Sequence, residues 1–273
     1  MAAWSHRAAD AGLARRIAAS LGVSEPLAAV LARSFPDEAE AERHLRPQLA
    51  HVSDPFAVGG LREAAERLVT AAAKGERIAI LGDYDVDGVS STAMLVHFLR
   101  RLGAKPEYFV PRRLEEGYGL SMAALERVLA EAKPQLFVAL DCGTNSKPEV
   151  ERLRAEGVDV IVVDHHVAKE SRVTCTLVNP RVNDAEDAPW QTLCTAGLVF
   201  KLVHGVLKVL RLAGDERGTS IAVKDYLDLA ALGTIADLVP LRTENRILAA
   251  HGLKALGEAR RQGLRALIAV SGM

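Results

Sequence analysis

The sequence predicts an α/β fold: a parallel β-sheet flanked by helices, with a helical extension before it and a helical connecting segment after it. Two observations carry that expectation. Between Arg77 and Val163 short strand-like runs alternate with helical patterns, and most of the runs are apolar at every position, as strands covered on both faces must be. Clusters of aspartate and histidine follow three of these runs directly, at the carboxyl ends where open parallel sheets gather their ligands.

Residues 1–50 are rich in Ala, Arg and Glu and have helical periodicity. Leu13, Ile17 and Leu21 recur every four residues, which predicts a helix over 9–21. Helices over 26–34 and 37–45 follow, punctuated by Pro36 and Pro47. Asp54-Pro55-Phe56 is a turn, and a helix over 61–74 stops at Gly75. The strands are expected at 78–81, 107–110, 136–140 and 158–163. The helices between them fall at 89–102, buried on nearly every side, at 121–132, capped by Ser121, and at 148–156. Residues 179–194, polar and interrupted by Pro180 and Pro189, read as a loop. Helices over 195–210, 225–236 and 246–256 complete the chain, with a turn at 214–219.

The 273 residues are 49% hydrophobic, enough for a sizeable core, and no apolar run approaches the roughly 18–20 residues needed to cross a bilayer. Cys142, Cys175 and Cys194 form no Cys-x-x-Cys pair, which argues for a reducing, cytoplasmic setting in which they are small core residues. The formal net charge of −1 is not the basic balance of a typical DNA-binding domain, so local charge must matter more than the total. The phosphate loop Gly-x-x-x-x-Gly-Lys-Ser/Thr, the dinucleotide fingerprint Gly-x-Gly-x-x-Gly and the Gly-x-Ser-x-Gly elbow are all absent, so nucleotide hydrolysis by a phosphate loop, hydride transfer and serine catalysis lack support.

What remains is the acidic clusters. Asp83, Asp85 and Asp87 alternate with Tyr84 and Val86; in an extended segment their carboxylates would crowd one side and repel unless a cation sat among them. Asp-x-Asp-x-Asp-Gly also opens calcium loops, but the twelfth position is Met94 rather than Glu, and no helix precedes the cluster. Asp141 ends the strand at 136–140, and Asp164-His165-His166 ends the strand at 158–163. Asp237 interrupts an apolar stretch. Four clusters combining carboxylates with imidazole suit a binuclear centre of Mn²⁺ or Mg²⁺, with manganese favoured by the nitrogen donor.

These clusters resemble the DHH phosphoesterase superfamily, named for the triplet at Asp164–His166, and within it the RecJ family of bacterial single-strand-specific exonucleases. Segments beyond the acids carry the likeness: Leu81-Gly82-Asp83-Tyr84-Asp85-Val86-Asp87-Gly88, Arg113 through Leu120, Val178-Asn179-Pro180, Ala231 through Leu241, and Asn245-Arg246. Two stretches depart from the usual pattern, Asp141-Cys142-Gly143-Thr144-Asn145-Ser146 and Cys194-Thr195-Ala196-Gly197, without removing a ligand.

The resemblance implies two ions bridged by Asp141, with Asp83 and Asp85 on one and Asp87, His165 and Asp237 on the other. In that setting Asp164 is expected to orient His165, and His166 to contact substrate phosphate; Arg113 and Arg246 are candidates for further phosphate contacts or else solvated surface arginines, and Tyr118 either stacks on a base or packs against the sheet. The implied reaction is 5′-to-3′ hydrolysis of single-stranded DNA to mononucleotides in repair and recombination, alongside a single-strand-binding protein and a recombination helicase. The implied organisation is a helical N-terminal extension (1–75), a DHH catalytic domain (76–240) and the start of helices (241–273) leading to a further C-terminal domain, so that the chain reads as a truncated catalytic region. Two other readings use the same residues: a phosphatase of the superfamily acting on short oligonucleotides or small nucleotides, and an inactive binding protein that keeps the fold.

Overall fold

The computed structural model of the chain describes residues 8–169 and 173–272. Contacts divide the chain into two compact units at Val52/Ser53.

Among its described residues the first unit holds three α-helices, α1 (Ala11–Leu21), α2 (Glu25–Ser34) and α3 (Glu38–Leu45). Asp10 caps α1 by accepting from Leu13 N, and Asp37 caps α3 by accepting from Glu40 N. The four-residue repeat does what its spacing predicts: Leu13, Ile17 and Leu21 are buried together with Ala28, Leu31 and Ala41.

The second unit begins with α4 (Leu61–Lys74), then alternates β1 (Ile78–Gly82), α5 (Val86–Arg101), β2 (Glu107–Phe109), α6 (Met122–Ala132), β3 (Leu136–Leu140), α7 (Lys147–Ala155), β4 (Asp159–Val163) and β5 (Thr176–Val178). After the sheet come α8 (Pro180–Asn183), α9 (Thr195–Leu212), α10 (Arg217–Ser220), α11 (Leu227–Ala236), α12 (Thr243–Gly257) and α13 (Gln262–Ser271). Helix α4, which the sequence reading grouped with the N-terminal extension, buries Leu61, Ala65 and Leu68 in this unit's core.

The sheet is entirely parallel, in the order β2-β1-β3-β4-β5. One face is covered by α4, α5, α9 and α11, the other by α6 and α7, so the central strands are buried on both sides. The edge strand β5 was not foreseen: three residues, two of them half-exposed, carry no apolar run to detect. The helices α8 and α10 are single turns inside expected loops, and α13 buries only Leu264.

The start of α5 corrects the sequence reading. The helix begins at Val86, not at residue 89, because Asp85 caps it through Gly88 N (2.9 Å). Val86 and Val89 are exposed, so the apolar period begins later than the helix does. Asp83, Asp85 and Asp87 therefore do not share one side of an extended segment. Gly88 is required by packing, since a Cβ there would lie 2.4 Å from Asp83 O.

Helix α12 lies against α11 at Gly252, where a Cβ would meet Leu227 O at 2.2 Å. Helix α12 is further tied to α9 by a buried ion pair. Lys201 Nζ donates to Glu244 Oε2 (2.7 Å) and to Ser53 Oγ (2.7 Å), while Ser53 N donates to Glu244 Oε1 (3.1 Å). Removing one partner of such a pair strands a charge in the interior. Lys201→Met is therefore expected to cost about 3–5 kcal/mol in urea unfolding. The double variant Lys201→Met/Glu244→Leu, which strands no charge and leaves only Ser53 short of partners, should recover part of that loss.

Candidate metal centre

The strand register brings the candidate residues together. Gly82 pairs with Leu140, Leu140 with Val163, and Val163 with Val178, so the next residues along, Asp83, Asp141, Asp164 and Asn179, form a row across the carboxyl edge. The ladder runs one step beyond the strands: Asp83 N donates to Leu140 O (3.2 Å), Asp141 N to Val163 O (3.0 Å) and Asp164 N to Val178 O (3.0 Å). Asp141 turns out of the row with φ +63°, a left-handed conformation that a non-glycine residue adopts at a cost.

Around this row the acids fall into overlapping groups whose ligand atoms lie within 4.8 Å of one another: Asp83, Asp85 and Asp141; Asp87, His165 and Asp237; and Asp141, His165 and His166. His165 Nε2 stands 3.4 Å from Asp141 Oδ1, 3.7 Å from Asp237 Oδ2 and 3.8 Å from Asp87 Oδ2. Asp141 thus belongs to a group on either side of it. Asp237 reaches the site as the C-cap of α11.

The N-terminus of α9 holds the centre from below. Thr195 N and Ala196 N donate to the two oxygens of Asp87, each at 2.7 Å, where the helix dipole favours negative charge. Thr195 Oγ1 donates to Asp141 Oδ1 at 3.0 Å. Gly233 on α11 leaves room for this: a Cβ there would lie 2.7 Å from Asp87 Oδ1.

The histidine triplet is arranged differently from the expectation. Asp164 Oδ1 accepts from His166 Nδ1 (2.7 Å) and from the backbone N of His165 (2.8 Å), and Oδ2 accepts from Thr144 N (3.0 Å). Asp164 therefore orients the ring of His166, not that of His165. The reason is local: the backbone turn after β4 folds residue 166 back over the carboxylate, while the His165 ring points at the acids. Asn179, buried in the same row, donates to Thr144 Oγ1 and to His166 O, both at 2.9 Å, and so fixes the turn.

Electrostatics show what divalent cations would relieve. Burial, reinforced by the charges of Asp87, Asp85 and Asp164, pushes the carboxyl of Asp141 up to about 10. Burial likewise raises Asp83, Asp87 and Asp237. Burial also works against Asp164, but the hydrogen bond and charge of His166, with Thr144, outweigh it and hold its carboxyl at about 2. The buried oxygens Asp83 Oδ2 and Asp141 Oδ2 have no hydrogen-bond partner. Orphaned carboxylate oxygens and mutual repulsion are both relieved by divalent cations, and an oxygen-rich donor set with imidazole fits Mn²⁺ or Mg²⁺.

A cavity of about 560 Å³ opens beside the centre, with Tyr118, Gly143, His165 and His166 in its wall. Tyr118 donates its hydroxyl to Asp83 and meets the Tyr84 ring edge-on at 5.7 Å. Arg113 lies over the Tyr84 ring, 5.3 Å from its centroid, and Arg246 is half-buried on α12; neither lines this cavity. Two cations that the sequence reading passed over do line it, Lys169 and Arg181. No motif flagged them, whereas Thr195 stood in a departing stretch and Asn179 in a quoted one. Cys142 and Cys194 are buried thiols pushed well up by burial and are not poised as nucleophiles.

A model of the DHH family, N-terminal domain, matches residues 77–234. The chain is 36% identical over 271 residues to the single-stranded-DNA-specific exonuclease RecJ of Bacillus subtilis, covering 98% of this chain and 33% of that protein. Among solved structures it is similar to exonuclease RecJ bound to manganese (38% identity, TM-score 0.71, 82% of this chain and 54% of that one). It is also similar to RecJ of Thermus thermophilus in complex with Mn²⁺ (33% identity, TM-score 0.76, 95% and 35%). The chain spans a third to a half of the length of the curated relatives it matches most fully. Among the described residues no helix is long and apolar enough to cross a membrane.

Burial and mutual repulsion raise the carboxyls of Asp141, Asp87 and Asp237 together, so this group holds protons more tightly than free carboxylates do and cation binding works to release them. Calorimetric titration with Mn²⁺ near neutral pH in buffers of different ionisation enthalpy should report net proton release. Binding with no proton release would contradict the arrangement. Thr195→Val, isosteric but without the hydroxyl, is expected to weaken Mn²⁺ about tenfold, and Thr195→Ser to restore it.

Proposed function

Since the chain belongs to the DHH family, we propose that its centre holds two divalent cations, Mn²⁺ or Mg²⁺, and hydrolyses phosphodiester bonds of single-stranded DNA from the 5′ end to mononucleotides. The observation that carries this reading is the position of Asp141, grouped with Asp83 and Asp85 on one side and, on the other, 3.4 Å from His165, which itself groups with Asp87 and Asp237. The names of the relatives, single-stranded-DNA-specific exonucleases, support the substrate, and the manganese in similar structures supports the metal. Such an activity belongs on the single-stranded intermediates of repair and recombination.

When bound, the cations supply Lewis acidity toward a phosphoryl oxygen and toward the attacking water. The residues of the chain do the rest. Asp141 sits between the two groups and is held by Thr195. Asp87 is fixed by the end of α9, so its carboxylate cannot swing away when charge in the site changes. His166 has Nδ1 committed to Asp164, which leaves Nε2 to donate to a non-bridging phosphate oxygen. Tyr118, with its hydroxyl on Asp83 and its ring more than half exposed, offers a face on which any base can stack. The cavity beside the centre has the size of a small-molecule site and suits a terminal nucleotide.

The test uses end-labelled single-stranded DNA with Mn²⁺. Asp85→Ala and His165→Ala should each lower cleavage at least about a hundredfold, and a chelator should abolish it. Asp164→Asn is expected to cost less, about tenfold to a hundredfold, because it loosens His166 without removing a ligand. Cleavage that survives both ligand substitutions would sink the two-metal reading. Cleavage confined to dinucleotides would point instead to a phosphatase of short oligonucleotides.

A further inference from the structure

Lys169 and Arg181 are the two cations that line the cavity beside the carboxylate centre. Both are carried there by polar staples. Asn145 donates from Nδ2 to Val167 O (3.0 Å) and accepts at Oδ1 from Lys169 N (2.7 Å), which pins the loop after β4 to the loop after β3. Asn179 accepts at Oδ1 from Arg181 N (3.0 Å), while its Nδ2 holds His166 O (2.9 Å). The backbone of each cation is therefore tied to the loops that carry Asp141 and the histidines.

Their side chains are unspent. Among the described residues neither makes an ion pair within 4.0 Å, in contrast to Arg127, which is paired with Glu116 at 2.5 Å. Arg113 is already stacked over Tyr84. Arg181 is near enough to Asp237 for its charge to favour that carboxylate, but neither cation is held in an ion pair, so together they present positive charge on the wall of one cavity to whatever enters it. A substrate with a single phosphodiester engages the carboxylate centre and His166 and has no use for them. A second phosphate does, and apolar wall from Leu120 and Val167 in the same cavity fits the sugar and base between the two phosphates.

We propose that Lys169 and Arg181 form a second phosphate subsite, which binds the phosphodiester next to the one being cleaved. The site thereby favours oligonucleotides over substrates with one phosphate. The inference rests on the reading of the centre as a phosphodiester hydrolase and specifies its substrate: a single strand with at least two phosphodiesters.

The experiment compares the Lys169→Ala/Arg181→Ala variant with the wild type in Mn²⁺ on two substrates. One is oligothymidylate; the other is thymidine 5′-(p-nitrophenyl phosphate), which has a single phosphodiester. The double variant is expected to lose about tenfold or more in kcat/KM on the oligonucleotide, chiefly through KM, with a much smaller loss on the one-phosphate ester. The slope of log affinity against log salt should fall by about 1.4, the value for two contacts to a single strand. Lys74→Ala, which removes an exposed charge from before β1 at the opposite end of the sheet, should change neither ratio nor slope. Equal losses on both substrates, or none, would overturn the subsite. A wild type inert on both substrates would refute the hydrolase reading instead. Fluorescence anisotropy of labelled oligothymidylate then decides the subsite, and unchanged affinity in the double variant overturns it.

Discussion

Carboxylates repel one another, and they repel more strongly where water is scarce. Asp83, Asp87 and Asp141 are almost completely buried, and Asp85 and Asp237 stand close to them. In water such a group of acids would stay apart. Here the parallel register of β1, β3 and β4 delivers Asp83, Asp141 and Asp164 to one edge, and the ends of α5 and α11 bring Asp85, Asp87 and Asp237 against them. The cost appears in the raised proton affinity of Asp141, in two orphaned carboxylate oxygens and in the left-handed backbone at Asp141. A fold that maintains this arrangement is organised for cations.

The surrounding helices make sense as supports for that arrangement. Helix α9 turns its positive end toward Asp87, so two backbone N–H groups partly offset the repulsion before any cation arrives. Helix α11 approaches Asp87 through Gly233 and ends on Asp237. Helix α12 closes on α11 through Gly252, and the Lys201–Glu244 pair links α12 back to α9. A side chain at either glycine, or an unpaired charge at Lys201 or Glu244, would disturb the geometry of the acids from a distance, since close-packed interiors transmit displacement.

Much of this was legible in the sequence, for physical reasons. Strands buried on both faces must be apolar throughout, so β1, β3 and β4 announced themselves. Acids at the ends of such strands are costly to place, which singled out the clusters at Asp83, Asp141 and Asp164, while Asp237, at the end of a helix, entered the set of six through the family resemblance. What stayed hidden depends on three-dimensional closure. The half-exposed β5 has no pattern of its own, yet it seats Asn179 in the row. The early start of α5 is set by a side-chain cap that precedes the apolar period. Thr195 and Arg181 meet the site only because a helix end and a single turn happen to fold against it, and no linear spacing encodes that.

The triplet Asp164-His165-His166 shows why adjacency in sequence does not assign roles. Consecutive residues leaving a strand diverge, so one imidazole can face the acids while the next turns outward. His165 reaches Asp87, Asp141 and Asp237; His166 turns outward and its side chain is 40% exposed. A ring at the open side of a site needs an external anchor to keep its direction, whereas a ring among acids is held by them. Asp164 supplies that anchor through Nδ1, and Asn179 fixes the backbone behind it. The carboxylate is thus spent where orientation would otherwise be lost. That leaves His165 facing Asp87, Asp141 and Asp237 and leaves His166 on the wall of the cavity.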